Sequence, residues 1–356
     1  MQPFEYVCAT DEATAIEQVA SDHTASFIAG GTTMVDLMKE QVFRPSRLVD
    51  ISRLPMYEIA ELPGGTLQIG ANAKNAVVAN HPLVRSRFPG LSEAISAGAS
   101  RQIRSMASVA GNILQRTRCP YLRDVHQPCN KRSPGSGCSA IIGFNRLHAI
   151  LGHTDDGPTG SHSCIATYPS DMAVMLAALD AVVVTRSRVG EERFLINDLL
   201  RLPANEPGLD SNLPHGSLII AIELPMFGGI SHYLKVRDRA SYAFALVSCA
   251  VAIDLHDGRI DHVKIALGGL AHKPWRAREA EEMLSGHIPS DELFRSAAQL
   301  ALTGAKYFSQ NNFKGPMAIE LIARGLLEAA GLEPLSGPAG SVFAANIGGV
   351  AANHVQ

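Results

Sequence analysis

Hydrophobic and polar positions divide the chain into two parts with different orders of predicted elements. In the first part, apolar runs that end in turns and are followed by helical stretches predict two successive α/β units, at about residues 1–60 and 61–228. In the second part, three strand-like runs precede three helical stretches, the first of them near Trp275 to Leu284. Asp257-Gly258 predicts a hairpin between the last two strands. This order is typical of an antiparallel sheet covered by helices on one face. The expected organisation is an α+β chain with domains at 1–228 and 229–335 and a Gly- and Ala-rich tail at 336–356.

Regular patterning is interrupted between residues 115 and 167, where Pro, Gly, Cys, His and Arg are frequent and no period persists. A loop of this length inside a compact domain is uncommon and is usually either functional or disordered. The helical pattern resumes at Met172, with Ser170 as the predicted N-cap. We therefore treat residues 115–167 as an insertion that needs its own explanation.

Composition narrows the possible functions. The 356 residues are 46% hydrophobic and 18% charged, with a formal net charge of −3 and a pI near 6.5. This balance predicts a folded chain without the basic surface that nucleic-acid binding requires. The first residues lack a basic region followed by an apolar one, and no stretch approaches the ~18 apolar residues of a membrane span. By itself the chain is expected to stay in the cytosol.

Two glycine-bearing turns are the first candidates for a binding site. Ile28-Ala-Gly-Gly-Thr-Thr33 follows an apolar strand, so backbone N–H groups and the threonine hydroxyls would be available to a bound phosphate. Ser108-Val-Ala-Gly-Asn112 has a similar character. Each is equally compatible with an ordinary tight turn, and neither matches the common dinucleotide or triphosphate fingerprints.

Taken together and in order, these motifs resemble the FAD-binding subunit of the molybdenum hydroxylases, the xanthine dehydrogenase and carbon monoxide dehydrogenase flavoprotein family. The resemblance runs from about Phe4 to Leu332 and also includes Pro169-Ser-Asp-Met-Ala173 and Ile265-Ala-Leu-Gly-Gly269. It implies an FAD-binding domain of two α/β subdomains, of the PCMH type, followed by a C-terminal α+β domain. Where the family usually has Gly-Gly before the asparagine of the second turn, this chain has Ala110-Gly111, so a small change of that loop is expected.

The resemblance also implies which residues hold the flavin. They are Ile28, Ala29, Gly30, Gly31, Thr32, Thr33, Met34, Ser108, Gly111, Asn112, Leu114, Asp171 and Lys235. Without the family context, Asp171 would be a plain helix-start carboxylate and Lys235 a solvated strand lysine.

Four of the six cysteines lie in or next to the insertion: Cys119, Cys129, Cys138 and Cys164. Their wide spacing leaves several explanations open. They are free cysteines without a role, ligands of a [4Fe–4S] cluster, or ligands of a zinc ion together with a histidine such as His126, His148, His153 or His162. Disulfides are a further but weaker alternative.

A narrower resemblance favours the cluster. Residues 116–164 are similar to the insertion in the FAD subunit of periplasmic aldehyde oxidoreductases, which carries a [4Fe–4S] cluster, as the related 4-hydroxybenzoyl-CoA reductases also do. It implies Cys119, Cys129 and Cys138 as ligands. Cys164 is the expected fourth, because Cys249 lies in an apolar strand and Cys8 is distant in sequence.

The resemblance further implies a function as an electron-transfer subunit without catalytic side chains of its own. Electrons from an aldehyde or N-heterocycle, oxidised on a molybdenum-cofactor large subunit, would pass a 2Fe-2S small subunit of a heterotrimer and leave to an external acceptor. The isolated chain would not turn over substrate. It would reside in the cytoplasm, or in the periplasm by co-export with a signal-bearing partner. The alternatives are a self-contained FAD oxidoreductase and a cluster-bearing scaffold that binds no flavin.

Overall fold

The structure is a computed structural model that describes residues 1–332. The predicted tail at 336–356 lies outside the described residues. Within the described range the strands form three sheets, of three, five and four strands. One hydrophobic core joins the first two sheets and reaches the third, and a second core lies between the third sheet and its helices.

The first sheet is parallel, because a helix returns the chain after each of its first two strands. Its order is β1-β3-β2. Asp11 caps the first helix by accepting a hydrogen bond from the backbone N–H of Thr14 at 2.8 Å. The elements are β1 (Glu5–Cys8), α1 (Glu12–Ala20), β2 (Ala25–Ile28), α2 (Met34–Lys39) and β3 (Arg47–Asp50). The first glycine turn is the β2–α2 connection.

The second sheet is antiparallel throughout, in the order β4-β5-β8-β6-β7. Its strands are β4 (Ile59–Glu61), β5 (Leu67–Gly70), β6 (Val182–Ser187), β7 (Gly190–Leu195) and β8 (Leu218–Leu224). Between β5 and the insertion lie α3 (Asn75–Asn80), α4 (Pro82–Arg87), α5 (Pro89–Ala97), α6 (Arg101–Met106) and α7 (Val109–Ile113). The second glycine turn is the N-cap and first turn of α7, so both glycine turns lie at the start of a helix.

The insertion contains the short helix α8 (Pro120–Arg123) and is otherwise built from turns and isolated bridges. Side chains satisfy its buried backbone groups. The amide of Asn130 donates to the carbonyls of Gly160 and Ser163 and accepts from the N–H of Gly137. Polar bonds of this kind stand in for the missing helices and strands.

The two ends of the insertion are tied to each other. The hydroxyl of Tyr168 donates to the carbonyl of Ile113 at 2.5 Å, and that of Ser170 donates to the Asn112 side chain at 2.6 Å. The chain therefore leaves and re-enters the domain at nearly the same place.

Helix α9 (Asp171–Ala178) follows directly and is buried along its whole length. Ser170 accepts a hydrogen bond from the N–H of Ala173, as the predicted N-cap requires. The helix packs against α5 and α7 on one side and against the C-terminal sheet on the other. The short helix α10 (Ile196–Leu199) closes the connection after β7.

The C-terminal sheet has the order β12-β11-β10-β9 and is antiparallel. Its elements are β9 (Ile230–Val236), β10 (Val247–His256), β11 (Arg259–Gly268), β12 (Trp275–Arg276), α11 (Arg278–Leu284), α12 (Asp291–Leu300) and α13 (Lys314–Ala329). The hairpin at Asp257-Gly258 is confirmed, with φ of 50° and 73°. Trp275, expected to begin a helix, instead pairs with Leu267 as an edge strand.

Both faces of this sheet are covered. Along β10, Cys249 and Val251 face the helices α11–α13, whereas Ala250 and Ala252 face the core of the N-terminal part. The small alanines allow α9 to approach the sheet closely. The sequence predicted helices on one face, and the structure adds that the second face joins the two parts of the chain.

Candidate functional site

A cleft of about 600 Å³ lies where the two glycine turns, the start of α9 and the β9–β10 segment meet. Its walls contain Thr32, Thr33, Gly111, Asn112 and Asp171 from the predicted flavin-binding set. The other predicted residues stand beside or behind these walls. Ile28, Ala29, Gly30, Gly31 and Met34 belong to the first turn, Ser108 and Leu114 flank the second, and Lys235 lies behind Asp171.

In the first turn, glycine is required for space. A Cβ on Gly30 would lie 2.1 Å from the carbonyl oxygen of Met106, so the turn rests directly on the segment that leads into the second turn. Gly31 has φ of +70°, which a side chain disfavours. Thr33 is the N-cap of α2 but makes no side-chain capping bond, so its hydroxyl remains available to a ligand in the cleft.

In the second turn, the structure separates capping from ligand-facing roles. Ser108 is buried, and its hydroxyl accepts from the N–H of Gly111 at 3.2 Å, which makes it the N-cap of α7. Gly111 and Asn112 face the cleft, and Asn112 is held by Ser170. Ala110 lies inside α7, where alanine is a favourable residue.

Asp171 is the centre of a buried charge network. Its carboxylate accepts from the Tyr233 hydroxyl at 2.6 Å and from the Lys235 ammonium at 2.8 Å. Lys235 also donates to the carbonyl of Ala97 at 3.1 Å. Burial, together with Asp171, raises the pKa of Tyr233, which keeps its hydroxyl a donor. Lys235 therefore acts through Asp171, and Tyr233 is a member that the sequence motifs did not indicate.

The remaining walls suit an anionic, aromatic ligand. Arg104, Arg118 and Arg239 line the cleft, and the half-exposed rings of Tyr242 and Phe244 lie at its edge. Among residues 1–332, the buried polar atoms on these walls that have no hydrogen-bond partner include Oδ1 of Asn75 and Nε of Arg118. A flavin dinucleotide has phosphates that the arginines can bind and flat rings that can stack on the aromatic side chains. It also has hydrogen-bonding groups for the unpaired polar atoms. The chemistry of the cleft therefore fits FAD.

The structure brings the four cysteines of the insertion together. Cys119, Cys129, Cys138 and Cys164 line one small cavity, and Cys129 pairs with Cys138 across an antiparallel bridge. All six cysteines of the chain lie in the described range and are free. Burial raises the pKa of both Cys119 and Cys164 to about 12, so without a metal these thiols stay protonated at neutral pH.

Two histidines contact this set. Nε2 of His148 lies 3.2 Å from Sγ of Cys119, and Nε2 of His272 lies 3.1 Å from Sγ of Cys164. Burial lowers the pKa of His148 to about 4, and that of His272 also falls, so both rings are neutral. Among residues 1–332, no group of three or more His, Cys, Asp or Glu side chains is arranged to hold a metal ion.

The cleft and the cysteine cavity share a wall. Thr117 and Cys119 line both, and His148 reaches the cleft as well. No intervening element separates the two spaces at this wall.

Family models match almost the whole described chain. The FAD binding domain in molybdopterin dehydrogenase matches residues 2–227, and the CO dehydrogenase flavoprotein C-terminal domain matches residues 232–329. The chain belongs to the family of FAD-binding subunits of the molybdenum hydroxylases. Membership identifies the N-terminal part as an FAD-binding domain and confirms the α+β fold and the place of the chain among oxidoreductase subunits.

Individual relatives agree with the family. The chain is 44% identical over 333 residues to the aldehyde oxidoreductase FAD-binding subunit PaoB of Escherichia coli K12, covering 92% of this chain and 99% of that one. It is 24% identical to the glyceraldehyde dehydrogenase medium chain of Sulfolobus acidocaldarius, covering 83% and 85%. A chain of quinoline 2-oxidoreductase from Pseudomonas putida 86 has the same fold, with a TM-score of 0.70 at 20% identity over 93% of this chain and 98% of that one.

No helix among residues 1–332 has both the length and the apolar character to cross a bilayer.

Proposed function

We propose that this chain is the FAD- and [4Fe–4S]-carrying electron-transfer subunit of a heterotrimeric molybdenum-dependent oxidoreductase that acts on an aldehyde or an N-heterocycle. The partners would be a molybdenum-cofactor large subunit and a 2Fe-2S small subunit, and electrons would leave to an external acceptor. The names of relatives support this class of substrate, since they include an aldehyde oxidoreductase, a glyceraldehyde dehydrogenase and a caffeine dehydrogenase.

One observation carries the proposal: the wall shared by the flavin cleft and the cysteine cavity at Thr117 and Cys119. Bound FAD would supply two-electron redox chemistry and a bound [4Fe–4S] cluster one-electron chemistry. A flavin in the cleft and a cluster in the cysteine cavity would be separated only by the wall at Thr117 and Cys119, so they would exchange electrons directly. A purely structural cluster would have no need of this position.

The residues of the chain have separate tasks in this proposal. Thr32, Thr33, Gly111 and Asn112 would bind the dinucleotide, with the cleft arginines neutralising its phosphates. Asp171 would face the flavin with its orientation fixed by Tyr233 and Lys235. Cys119, Cys129, Cys138 and Cys164 would hold the cluster as thiolates, since coordination to iron removes the thiol proton.

The cofactor content of the purified full-length chain tests the first half of the proposal. Flavin absorption near ~450 nm and about four iron and four sulfide ions per chain are expected. Cys129→Ser should lose the cluster and keep the flavin. Cys8→Ser is the matched control, because Cys8 is exposed and remote from the cavity, and it should keep both cofactors. A colourless chain, or full iron content in Cys129→Ser, would contradict the assignment.

Reconstitution tests the second half. The chain alone should not oxidise an aldehyde in the presence of an artificial acceptor, and addition of the molybdenum and 2Fe-2S subunits should establish turnover. Turnover by the chain alone would select a self-contained FAD oxidoreductase instead. Fractionation of cells that express the complex would show whether the chain is retained in the cytoplasm or exported with a partner.

A further inference from the structure

Two buried histidines each place a ring nitrogen next to a cysteine sulfur, and the sequence pointed to only one of them, His148. His148 contacts Cys119 at 3.2 Å and His272 contacts Cys164 at 3.1 Å. The first pair lies within the insertion, whereas the second joins the insertion to the β11–β12 connection of the C-terminal domain. Contacts at two of the four sulfurs, from two different parts of the chain, require an explanation that packing alone does not give.

The tautomer follows from what surrounds each ring. In both histidines Nδ1 is buried, and within residues 1–332 it has no hydrogen-bond partner. A neutral ring carries one proton, and an N–H without an acceptor is costly in a buried site. A metal-bound thiolate can accept but cannot donate, so the arrangement with the proton on Nε2 satisfies both the ring and the sulfur.

A buried lysine fixes the two histidine-bearing segments relative to each other. Nζ of Lys314 donates to the carbonyl of His148 at 2.9 Å and to that of Gly269 at 2.7 Å. Gly269 lies three residues before His272 in the same connection. The backbone segments that carry the two rings are therefore held by hydrogen bonds that do not involve the cysteines.

One wall of the cavity also carries a buried cation. Lys131, a residue of the cavity wall with its side chain only 2% exposed, pairs with Asp210 at 2.6 Å, and Arg116 pairs with the same carboxylate. Two cations thus share one anion. An excess of positive charge favours the more negative, reduced state of a cluster, and so do hydrogen bonds to its sulfurs.

We propose that His148 and His272 are positioning residues that donate Nε2–H hydrogen bonds to the sulfurs of Cys119 and Cys164 and thereby raise the reduction potential of the bound cluster. This inference rests on the proposed presence of a [4Fe–4S] cluster. It extends that proposal by giving the C-terminal domain a part in setting the electron affinity of a centre held by the insertion.

Redox titration of the assembled complex, followed by the electron paramagnetic resonance signal of the reduced cluster, tests the inference. His272→Met and His148→Met remove the donor at similar side-chain length, and each should shift the midpoint potential to a more negative value. His272→Gln and His148→Gln place an amide N–H at a similar reach and should restore part of the shift. His262→Met is the control, because His262 is exposed on β11 and does not line the cysteine cavity, and it should leave the potential unchanged.

The outcomes separate the two proposals. Wild-type protein without iron and sulfide would refute the cluster itself. Methionine variants with full iron content and an unchanged potential would refute the histidine assignment alone. A measurement on the wild type avoids variants that fail to fold: after ¹⁵N labelling of histidine, pulsed paramagnetic resonance should detect coupling of histidine nitrogen to the reduced cluster, and its absence would overturn the inference.

Discussion

Replacement of Gly30 by alanine would place a methyl carbon 2.1 Å from the carbonyl oxygen of Met106. The methyl carbon is bonded directly to the backbone of residue 30, and the carbonyl oxygen belongs to the backbone of Met106. No side-chain rotation can therefore relieve the overlap. The first turn would have to move away from the segment that precedes Ser108, and the cleft between the two turns would widen. FAD would contact both turns at once. Its binding would therefore have to bring the displaced first turn back against the segment before Ser108, which weakens the affinity.

Overpacking of this kind costs about 1–3 kcal/mol, which corresponds to an FAD dissociation constant raised by about 5- to 150-fold. Quenching of flavin fluorescence on titration of FAD with the apoprotein measures this constant. Gly208→Ala is the matched control, since an added Cβ there would lie 3.7 Å from the nearest atom, the carbonyl oxygen of Lys131. An unchanged FAD affinity in Gly30→Ala, with the control also unchanged, would show that the contact between the turns does not shape the binding site.

Two further predictions concern buried charges. Asp171→Ala would leave the Lys235 ammonium buried without its carboxylate. Urea titrations should show a free energy of unfolding lowered by about 3–5 kcal/mol. A variant as stable as the wild type would refute the charge network. The pKa of His232 is raised to about 9, because its hydrogen bonds to Glu328 and Glu93 outweigh the opposing effect of burial. The stabilising contribution of protonated His232 is full below pH 6.5 and is lost as the pH rises towards 9. The free energy of unfolding of the wild type should therefore fall more over this range than that of His232→Gln. Equal losses in the two proteins would contradict the raised pKa of His232.

Local sequence predicted the fold well where one segment determines its own structure. Asp257-Gly258 forms the expected hairpin, and Ser170 caps the expected helix, because turn and capping preferences act over a few residues. Trp275 differs from expectation because pairing with Leu267 across the sheet outweighs the local helical pattern.

Tertiary contacts, which no local sequence pattern contains, decide which of the predicted site residues line the cleft and which have a supporting role. Thr32 and Asn112 line the cleft, whereas Ser108 is used as a cap and Lys235 lies behind Asp171. His272 is 108 residues from Cys164 in the chain, so only the folded structure shows that they touch. Motif order was sufficient to recognise the family, but the assignment of a task to each side chain needed the contacts.

The hydrogen bonds that join the two ends of the insertion, from Tyr168 to Ile113 and from Ser170 to Asn112, have an evolutionary consequence. A segment whose ends already meet can be lengthened or lost without a shift of the helices on either side of it. Cys119, near the beginning of that segment, lines the cleft, so a cluster bound as proposed would lie beside the flavin without a further change of the domain.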